Sequence, residues 1–397
     1  MGPIIKKKVC LAGKNEIAVY GLNLLLKLVD KEYLCVVCNA ADDGFNSWQP
    51  SLLKAAKESD VAVTSLEDCY DFNGLIFLSL EFDRIISPEK FTNAYLYNIH
   101  FSNLPAYKGM YTSALPLLND EKEAGVTLHH IDAGIDTGDI IDQIIFPIEV
   151  SDTAKNLYEK YLSNSKKLLD KNLSRLLSGT VSSESQSADG STYFSKKAID
   201  YKNLEVDLIN TAHQIFNQIK AFTFPEYQVP KVHGYHVSSA KILDRKSTTK
   251  PGTLLKVSDL EILIATVDYD LTLYRDMNAE LFAAATENDG EKALLCIANG
   301  AVINQRNGRG WTPLIVASFN GSERVLNILL ENGAIVDMPN YRGTSPLMYA
   351  MTNYENTKSR VAFDILIEFG ANKYLRDSHG LTIHDYAKKR NIVGLLD

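Results

Sequence analysis

The chain has 397 residues, 45% hydrophobic and 23% charged, the balance of a soluble globular protein long enough for two or three domains. A formal net charge of −8 argues against extended nucleic acid as a partner, because a polyphosphate demands a basic surface. The five cysteines, at 10, 35, 38, 69 and 296, are odd in number and scattered, which speaks against a disulfide framework and fits a reducing cytosol.

At the N-terminus, Lys6-Lys7-Lys8 leads into a strand, and no stretch approaches the ~18 apolar residues of a membrane span. Neither a signal peptide nor a membrane partner is expected. Lys8–Gly13 reads as a first parallel strand, followed by a turn at 13–16 and a helix over 17–29. A strand over 33–38 holds Cys35 and Cys38. Positions three apart on a strand face opposite ways, so this CxxC is expected to share no metal or redox role. A helix over 48–57 and strands over 60–64 and 74–80 continue the alternation. Strands alternating with helices predict an α/β, doubly wound parallel sheet, with ligands at the carboxyl ends of its strands. The lone Gly13 reads as a tight turn rather than a dinucleotide fingerprint. Lys14 and Asn15, at the next helix N-terminus, are candidates for contact with an anionic substrate.

The apolar run 94–97 predicts a buried strand that ends in Asn98 and His100, two residues apart and therefore on one face. After it comes 107–113, with Met110 and Tyr111, and Thr112 or Ser113 as the cap of a helix to about Asn119. A strand over 125–131 then breaks into Asp132-Ala133-Gly134-Ile135-Asp136-Thr137-Gly138-Asp139. An amide, an imidazole and a carboxylate at the ends of two strands make a proton-handling site with an oxyanion donor. Asn98, His100 and Asp136 are the candidate catalytic residues. His129 and His130 lack a third ligand at metal spacing and read as structural, so no metal is expected. Asp132 either shapes the loop or caps a turn. A strand over 140–146 follows, then a helix over 153–177 capped by Asp152, then a Ser/Gly-rich linker over 178–191.

Between 193 and 273 the pattern changes to a helix over 208–221 and short antiparallel strands over 237–243, 252–257 and 260–267. The aromatic turn at 222–227 is either core or a stacking surface for a base: Phe222 and Tyr227 would stack, with Lys220 near phosphates. From about Met277 the chain repeats. Gly310-Trp311-Thr312-Pro313-Leu314 returns as Gly343-Thr344-Ser345-Pro346-Leu347, 33 residues on, and more weakly at Gly380-Leu381-Thr382. These residues resemble ankyrin repeats in period and in the Thr-Pro-Leu at the start of the first helix, Thr312-Pro313-Leu314. The expected domains are 1–191, 192–274 and 275–397.

Asn98-Ile99-His100, Ser102-Asn103-Leu104-Pro105 and Asp136-Thr137-Gly138 together resemble the 10-formyltetrahydrofolate-dependent formyltransferases over roughly residues 5–195. Residues 12–19, 77–82 and 108–111 look most like the members acting on dTDP-linked amino-dideoxy sugars. Ser-Asn-Leu-Pro replaces the commoner Ser-Leu-Leu-Pro and leaves the catalytic positions intact. The resemblance implies formyl transfer from 10-formyltetrahydrofolate to a sugar amine at C3 or C4, for surface polysaccharide. His100, oriented by Asp136, handles the proton, and Asn98 donates to the oxyanion. It also implies folate contacts at Leu80, Glu81, Phe82, Arg84 and Asp132, a sugar pocket at Met110 and Tyr111, a cytoplasmic location and a homodimer. The competing assignments are a methionyl-tRNA formyltransferase, against which the acidic balance and the repeats speak, and an interaction protein on an inactive formyltransferase scaffold. The repeats are expected to bind protein. Alternatively Arg306, Arg309, Trp311 and Tyr341 hold a second nucleotide sugar.

Overall fold

The computed structural model describes residues 7–392 and 394–395. Lys6 and the last residues of the repeat segment lie outside this range. The chain forms two compact units, one ending at Leu204 and one beginning at Glu205.

In the first unit, β1 (Val9–Gly13), α1 (Asn15–Leu25), β2 (Leu34–Cys38), α2 (Leu52–Glu58), β3 (Ala62–Val63), α3 (Leu66–Cys69), β4 (Asn73–Leu80) and β5 (Asn93–His100) alternate as the apolar pattern requires. They are followed by β6 (Lys108–Gly109), α4 (Leu115–Leu118), β7 (Glu123–His130), β8 (Ile140–Pro147), α5 (Ala154–Ser178) and β9 (Tyr193–Phe194). Seven strands make one sheet in the order β3-β2-β1-β4-β5-β7-β8. The first five are parallel, and β7 runs antiparallel to both of its neighbours. β1 is buried on both faces, as a central parallel strand must be. Leu11 and Leu80 face Gly21 of α1 on one side of the sheet. On the other side Ala12, Val37, Phe77 and Leu96 pack with Leu66 of α3. The thiols of Cys10, Cys35 and Cys69 also gather there, within 4.8 Å of one another. Burial pushes the Cys10 thiol up.

Several local expectations are corrected. Thr153 caps α5, exchanging hydrogen bonds with Asn156. Asp152 instead accepts from the Glu149 N–H and pairs with Lys160. Ser51 caps α2, leaving Trp48 outside it. α4 follows Ala114 with no side-chain cap, so neither Thr112 nor Ser113 serves. Residues 178–191 are not a free linker. Gly179 ends α5 in the left-handed conformation, Glu184 pairs with Ile140, and β9 pairs with β6. Tertiary backbone partners order a segment whose polar composition reads as loop.

In the second unit, α6 (Ala212–Phe222) packs on an antiparallel sheet of β10 (Lys231–Val232), β11 (Tyr235–Lys246), β12 (Leu254–Val257), β13 (Glu261–Ile264) and β14 (Tyr269–Arg275). Its order is β10-β11-β14-β13-β12. β14, to which the sequence pattern assigned no strand, is central. The helix pairs are α7 (Met277–Glu287) with α8 (Gly290–Ala298), α9 (Pro313–Asn320) with α10 (Glu323–Glu331), and α11 (Pro346–Thr357) with α12 (Val361–Glu368), followed by α13 (Ile383–Lys389). Thr312 and Ser345 cap α9 and α11 ahead of a first-turn proline, and Thr382 caps α13. Buried Glu280 joins sheet to repeats. It accepts from the His236 backbone N–H at 2.7 Å and meets Lys292 Nζ at 2.7 Å, with Arg275 at 4.0 Å. Against the cost of burial, these hydrogen bonds and cations hold its carboxyl down at about 2.

A carboxyl titrating near 2, below its ordinary 4.5, stabilises fully above that ordinary value and loses the contribution as pH falls through 2. Glu280→Ala, which strands Lys292 and Arg275, should cost about 3–5 kcal/mol at neutral pH. Denaturant unfolding of the full chain across pH should show the deficit shrinking below about pH 4. A deficit that is constant with pH would refute the assignment.

Candidate active site

β5 delivers Asn98 and His100 to the same face as Leu96, two residues apart. Because β7 is antiparallel, Asn98 lies opposite His129, and His100 lies opposite Thr127. Cross-strand partners share a face, so His129 enters the site. The loop after β7 then folds back and brings in Asp136.

Four side chains converge. Asp136 Oδ2 lies 3.5 Å from His100 Nδ1 and accepts from the Gly109 N–H at 2.9 Å. Asp136 Oδ1 lies 3.4 Å from Asn98 Nδ2 and 3.7 Å from His129 Nε2. The His100 Nε2 atom is 2.8 Å from the Tyr107 carbonyl, to which it can only donate. That leaves Nδ1, beside Asp136, as the nitrogen that can meet reacting atoms. His129 Nδ1 donates to the His130 carbonyl at 2.7 Å, so Nε2 carries the lone pair and accepts from Asn98 Nδ2 at 3.1 Å. Burial pushes His129 down to about 4, so it is neutral at working pH. Asn98 therefore holds one N–H on His129, and its other, at the long 3.4 Å contact with Asp136, is the one an incoming oxygen can engage. His129, read as structural from the sequence, belongs to the centre. Only the strand pairing could have exposed it.

The loop is built around Asp132, whose Oδ1 accepts from Gly134 N–H at 3.1 Å and Thr137 Oγ1 at 2.6 Å, so it shapes the loop. Asp136 adopts φ 54°, and a Cβ at Gly138 would meet the His130 carbonyl oxygen at 1.9 Å. Gln186 donates to the carbonyls of Asp136 and Gly138 at 2.9 and 2.8 Å.

At the adjoining ends of β1 and β4, Asn15 and Tyr158 donate to the Glu81 carboxyl at 3.3 and 3.0 Å. Asn39 Nδ2 donates to the Glu81 carbonyl at 3.0 Å. A Cβ at Gly13 would meet the Leu80 carbonyl oxygen at 1.9 Å, and Lys14 N–H donates to that same oxygen at 3.2 Å. Burial pushes the Glu81 carboxyl up to about 7, against the pull of Lys14, Tyr158 and Asn15. Trp48 and Phe101 flank Tyr158, each with its ring centroid 5.9 Å away.

The other anticipated residues are placed as follows. The Leu80 side chain is core, and Phe82 is partly buried against Phe77. Arg84 pairs with Glu67 at the surface. Met110 is exposed, and the Tyr111 hydroxyl donates to the Lys196 carbonyl at 3.0 Å. Phe222 is buried core, Tyr227 is exposed beside Phe224, and Lys220 lies over the Phe216 ring. In the repeats, Arg306 lies 5.5 Å from the Tyr341 ring and donates to the Pro339 carbonyl at 2.7 Å. Trp311 packs on Tyr349 and Phe319, and Arg309 is exposed.

Residues 39–173 match the family model for formyl transferases, and 281–377 match that for three copies of the ankyrin repeat. The N-formyltransferase of Helicobacter canadensis, crystallised with folinic acid and dTDP-3-aminofucose, is 40% identical with a TM-score of 0.63, over 68% of this chain and 100% of its own. WlaRD, a sugar 3N-formyl transferase crystallised with dTDP and 5-N-formyl-THF, is 38% identical with a TM-score of 0.63, over 68% of this chain and 97% of its own. The bifunctional polymyxin resistance protein ArnA of Wigglesworthia glossinidia brevipalpis is 30% identical over 273 residues, 64% of this chain and 41% of that protein. The chain thus spans about two fifths of the length of that curated relative.

A carboxyl raised to about 7 adds stability that is full below its ordinary 4.5 and is lost as pH rises through 7. Glu81→Gln should therefore flatten the fall in melting temperature between about pH 5 and 8. Parallel wild-type and variant curves over that range would show that the carboxyl is not held protonated.

Proposed function

The chain belongs to the sugar N-formyltransferases and carries ankyrin repeats besides, and on that premise we propose that it formylates the amino group of a dTDP-linked amino-dideoxy sugar. The formyl carbon comes from N10-formyltetrahydrofolate. The observation that carries this reading is the convergence of Asn98, His100 and Asp136 on one face of β5, at the carboxyl end of the parallel strands. Of the two amine positions, C3 is favoured, because both of the structural relatives quoted above are described with 3-amino chemistry.

The residues around this centre offer contacts for both substrates. The backbone from Glu81 to Arg84, which follows β4 with partly buried Phe82, and the Asp132–Gly138 loop are the candidates to hold the flat pterin. Glu81, Asn15, Lys14 and Tyr158 offer acceptors and donors for sugar hydroxyls and a cation for a phosphate, with Met110 and Tyr111 at the rim. His100 Nδ1 takes the proton that the attacking amine gives up, while Asp136 stabilises the imidazolium so formed. The second N–H of Asn98, only weakly held by Asp136, donates to the oxygen that gains charge, a donor worth roughly 10²–10³ in rate. Neutral His129 keeps the Asn98 amide oriented. The same imidazolium then returns its proton to the departing folate nitrogen.

We place the enzyme in the cytoplasm, making a sugar for surface polysaccharide such as lipopolysaccharide. Its cysteines are free, and no described helix is long and apolar enough to cross a membrane. Exposed Leu254, Leu255 and Val257 on edge strand β12 support a homodimer through the β subdomain. Sedimentation of the full chain should give a dimer, and Leu255→Lys with Val257→Lys should give a monomer. A monomeric wild type would remove the dimer. The repeats offer a protein-binding surface. The guanidinium of Arg306 near the Tyr341 ring, with Trp311 and Arg309, supports a second nucleotide-sugar ligand there.

Purified chain should formylate dTDP-3-amino sugars in preference to 4-amino isomers and leave methionyl-tRNA untouched. His100→Asn and Asp136→Asn should each reduce kcat by at least about 10³-fold with nucleotide-sugar affinity retained, and His129→Leu by about tenfold. Wild-type rates in His100→Asn, or formylation of tRNA alone, would refute the reading.

A further inference from the structure

We propose that Gln186 is a positioning residue for Asp136, and that the strap from Glu184 to Phe194 fixes both members of the His100–Asp136 pair. The proposal rests on the formyl-transfer reading of that centre. Its substance is the segment whose composition reads as a linker.

Asp136 sits at φ 54°, in the left-handed region that L residues avoid. Its carboxylate reaches Gly109, His100 and Asn98 only from that backbone. Something must hold the loop there. The carbonyls of Asp136 and Gly138 both aim at Gln186 Nε2, at 2.9 and 2.8 Å. One primary amide carries two N–H groups, so a single side chain satisfies both carbonyls. The assignment of the amide is forced, since an oxygen at that position would face two other oxygens. The opposite end of the amide, Oε1, is buried without a hydrogen-bond partner. An unpaired buried acceptor is a cost, so the side chain is held by its nitrogen end alone. The strap is anchored immediately upstream, where Glu184 and Ile140 exchange backbone hydrogen bonds of 2.7 and 2.8 Å.

Downstream, the strap grips the other member of the pair. Thr192 Oγ1 accepts from the Tyr107 N–H at 2.8 Å, and the Thr192 carbonyl accepts from the Lys108 N–H at 2.9 Å. The Phe194 carbonyl accepts from the Met110 N–H at 2.9 Å. Tyr107 is the residue whose carbonyl fixes His100 Nε2, and Gly109 is the one whose N–H fixes Asp136 Oδ2. One strap therefore sets the imidazole through Tyr107 and the carboxylate through Gln186. Its contribution is geometric, because its contacts run to the Tyr107–Met110 segment and the Asp136 loop that hold the pair.

Gln186→Met keeps the length and removes both N–H groups. Gln186→Glu keeps the shape and turns oxygen toward two carbonyls. Each is compared with wild type in the full-length protein by steady-state formyl transfer to dTDP-3-amino sugar, by the pH profile of kcat/KM, by thermal melting, and by ¹⁵N NMR titration of the His100 ring. The NMR reports on the pair whether or not the reaction proceeds. A wild type that transfers no formyl group would refute the reaction while leaving the positioning role to be judged by NMR. The expected result is a fall in kcat of about 10- to 100-fold in the Met variant and more in the Glu variant. KM for the nucleotide sugar should stay within about twofold, and both the pH profile and the His100 titration should shift. A Met variant with wild-type His100 titration would overturn the proposal, whether its kcat is unchanged or falls together with melting temperature.

Discussion

The catalytic crevice depends on one pairing, that of β7 antiparallel to β5. Running the other way, β7 places His129 directly opposite Asn98 and ends beside Tyr97, so that its exit loop must fold back across the strand end. That fold-back is what brings a carboxylate 3.5 Å from an imidazole that precedes it in the chain. The glycine at 138, pressed on the His130 carbonyl, is the steric condition for the reversal.

Within the crevice, polarity is assigned by hydrogen-bond accounting. Each imidazole has one nitrogen committed to a backbone carbonyl, His100 to Tyr107 and His129 to His130. The remaining nitrogens then differ in role. The one on His129 is a buried acceptor that orients an amide, and the one on His100 faces a carboxylate in the open part of the site. Two histidines with different roles thus come from one strand pair. Beside them, Glu81 is a carboxyl that burial keeps protonated to about pH 7, able to donate as well as accept. Such a group suits recognition of hydroxyls better than of cations.

Much of this was legible in the sequence. The alternation of strands and helices, the βα turn at Gly13, the shared face of Asn98 and His100, and the period of the repeats are all local patterns with a local physical cause. What escaped reading depends on tertiary pairing. His129 gains its role from a cross-strand partner 31 positions away. Residues 178–191 looked like linker because serine and glycine carry no periodicity, yet their backbone finds partners at Ile140 and Gln186 reaches the Asp136 loop. The side chain of Arg84 is drawn to Glu67, far back in the sequence, at the surface. Phe222 was ambiguous between core and stacking because an aromatic residue reports hydrophobicity without saying which side is solvent, and it is core.

The most direct measurement of the central claim is a crystal structure of the chain with a dTDP-3-amino sugar and 5-formyltetrahydrofolate. The account predicts the sugar amine within about 3.5 Å of both the formyl carbon and His100 Nδ1, with Nε2 still on the Tyr107 carbonyl and Asn98 donating to the formyl oxygen. An amine lying against Nε2, or a crevice that holds folate while the nucleotide sugar binds only on the repeats, would contradict it.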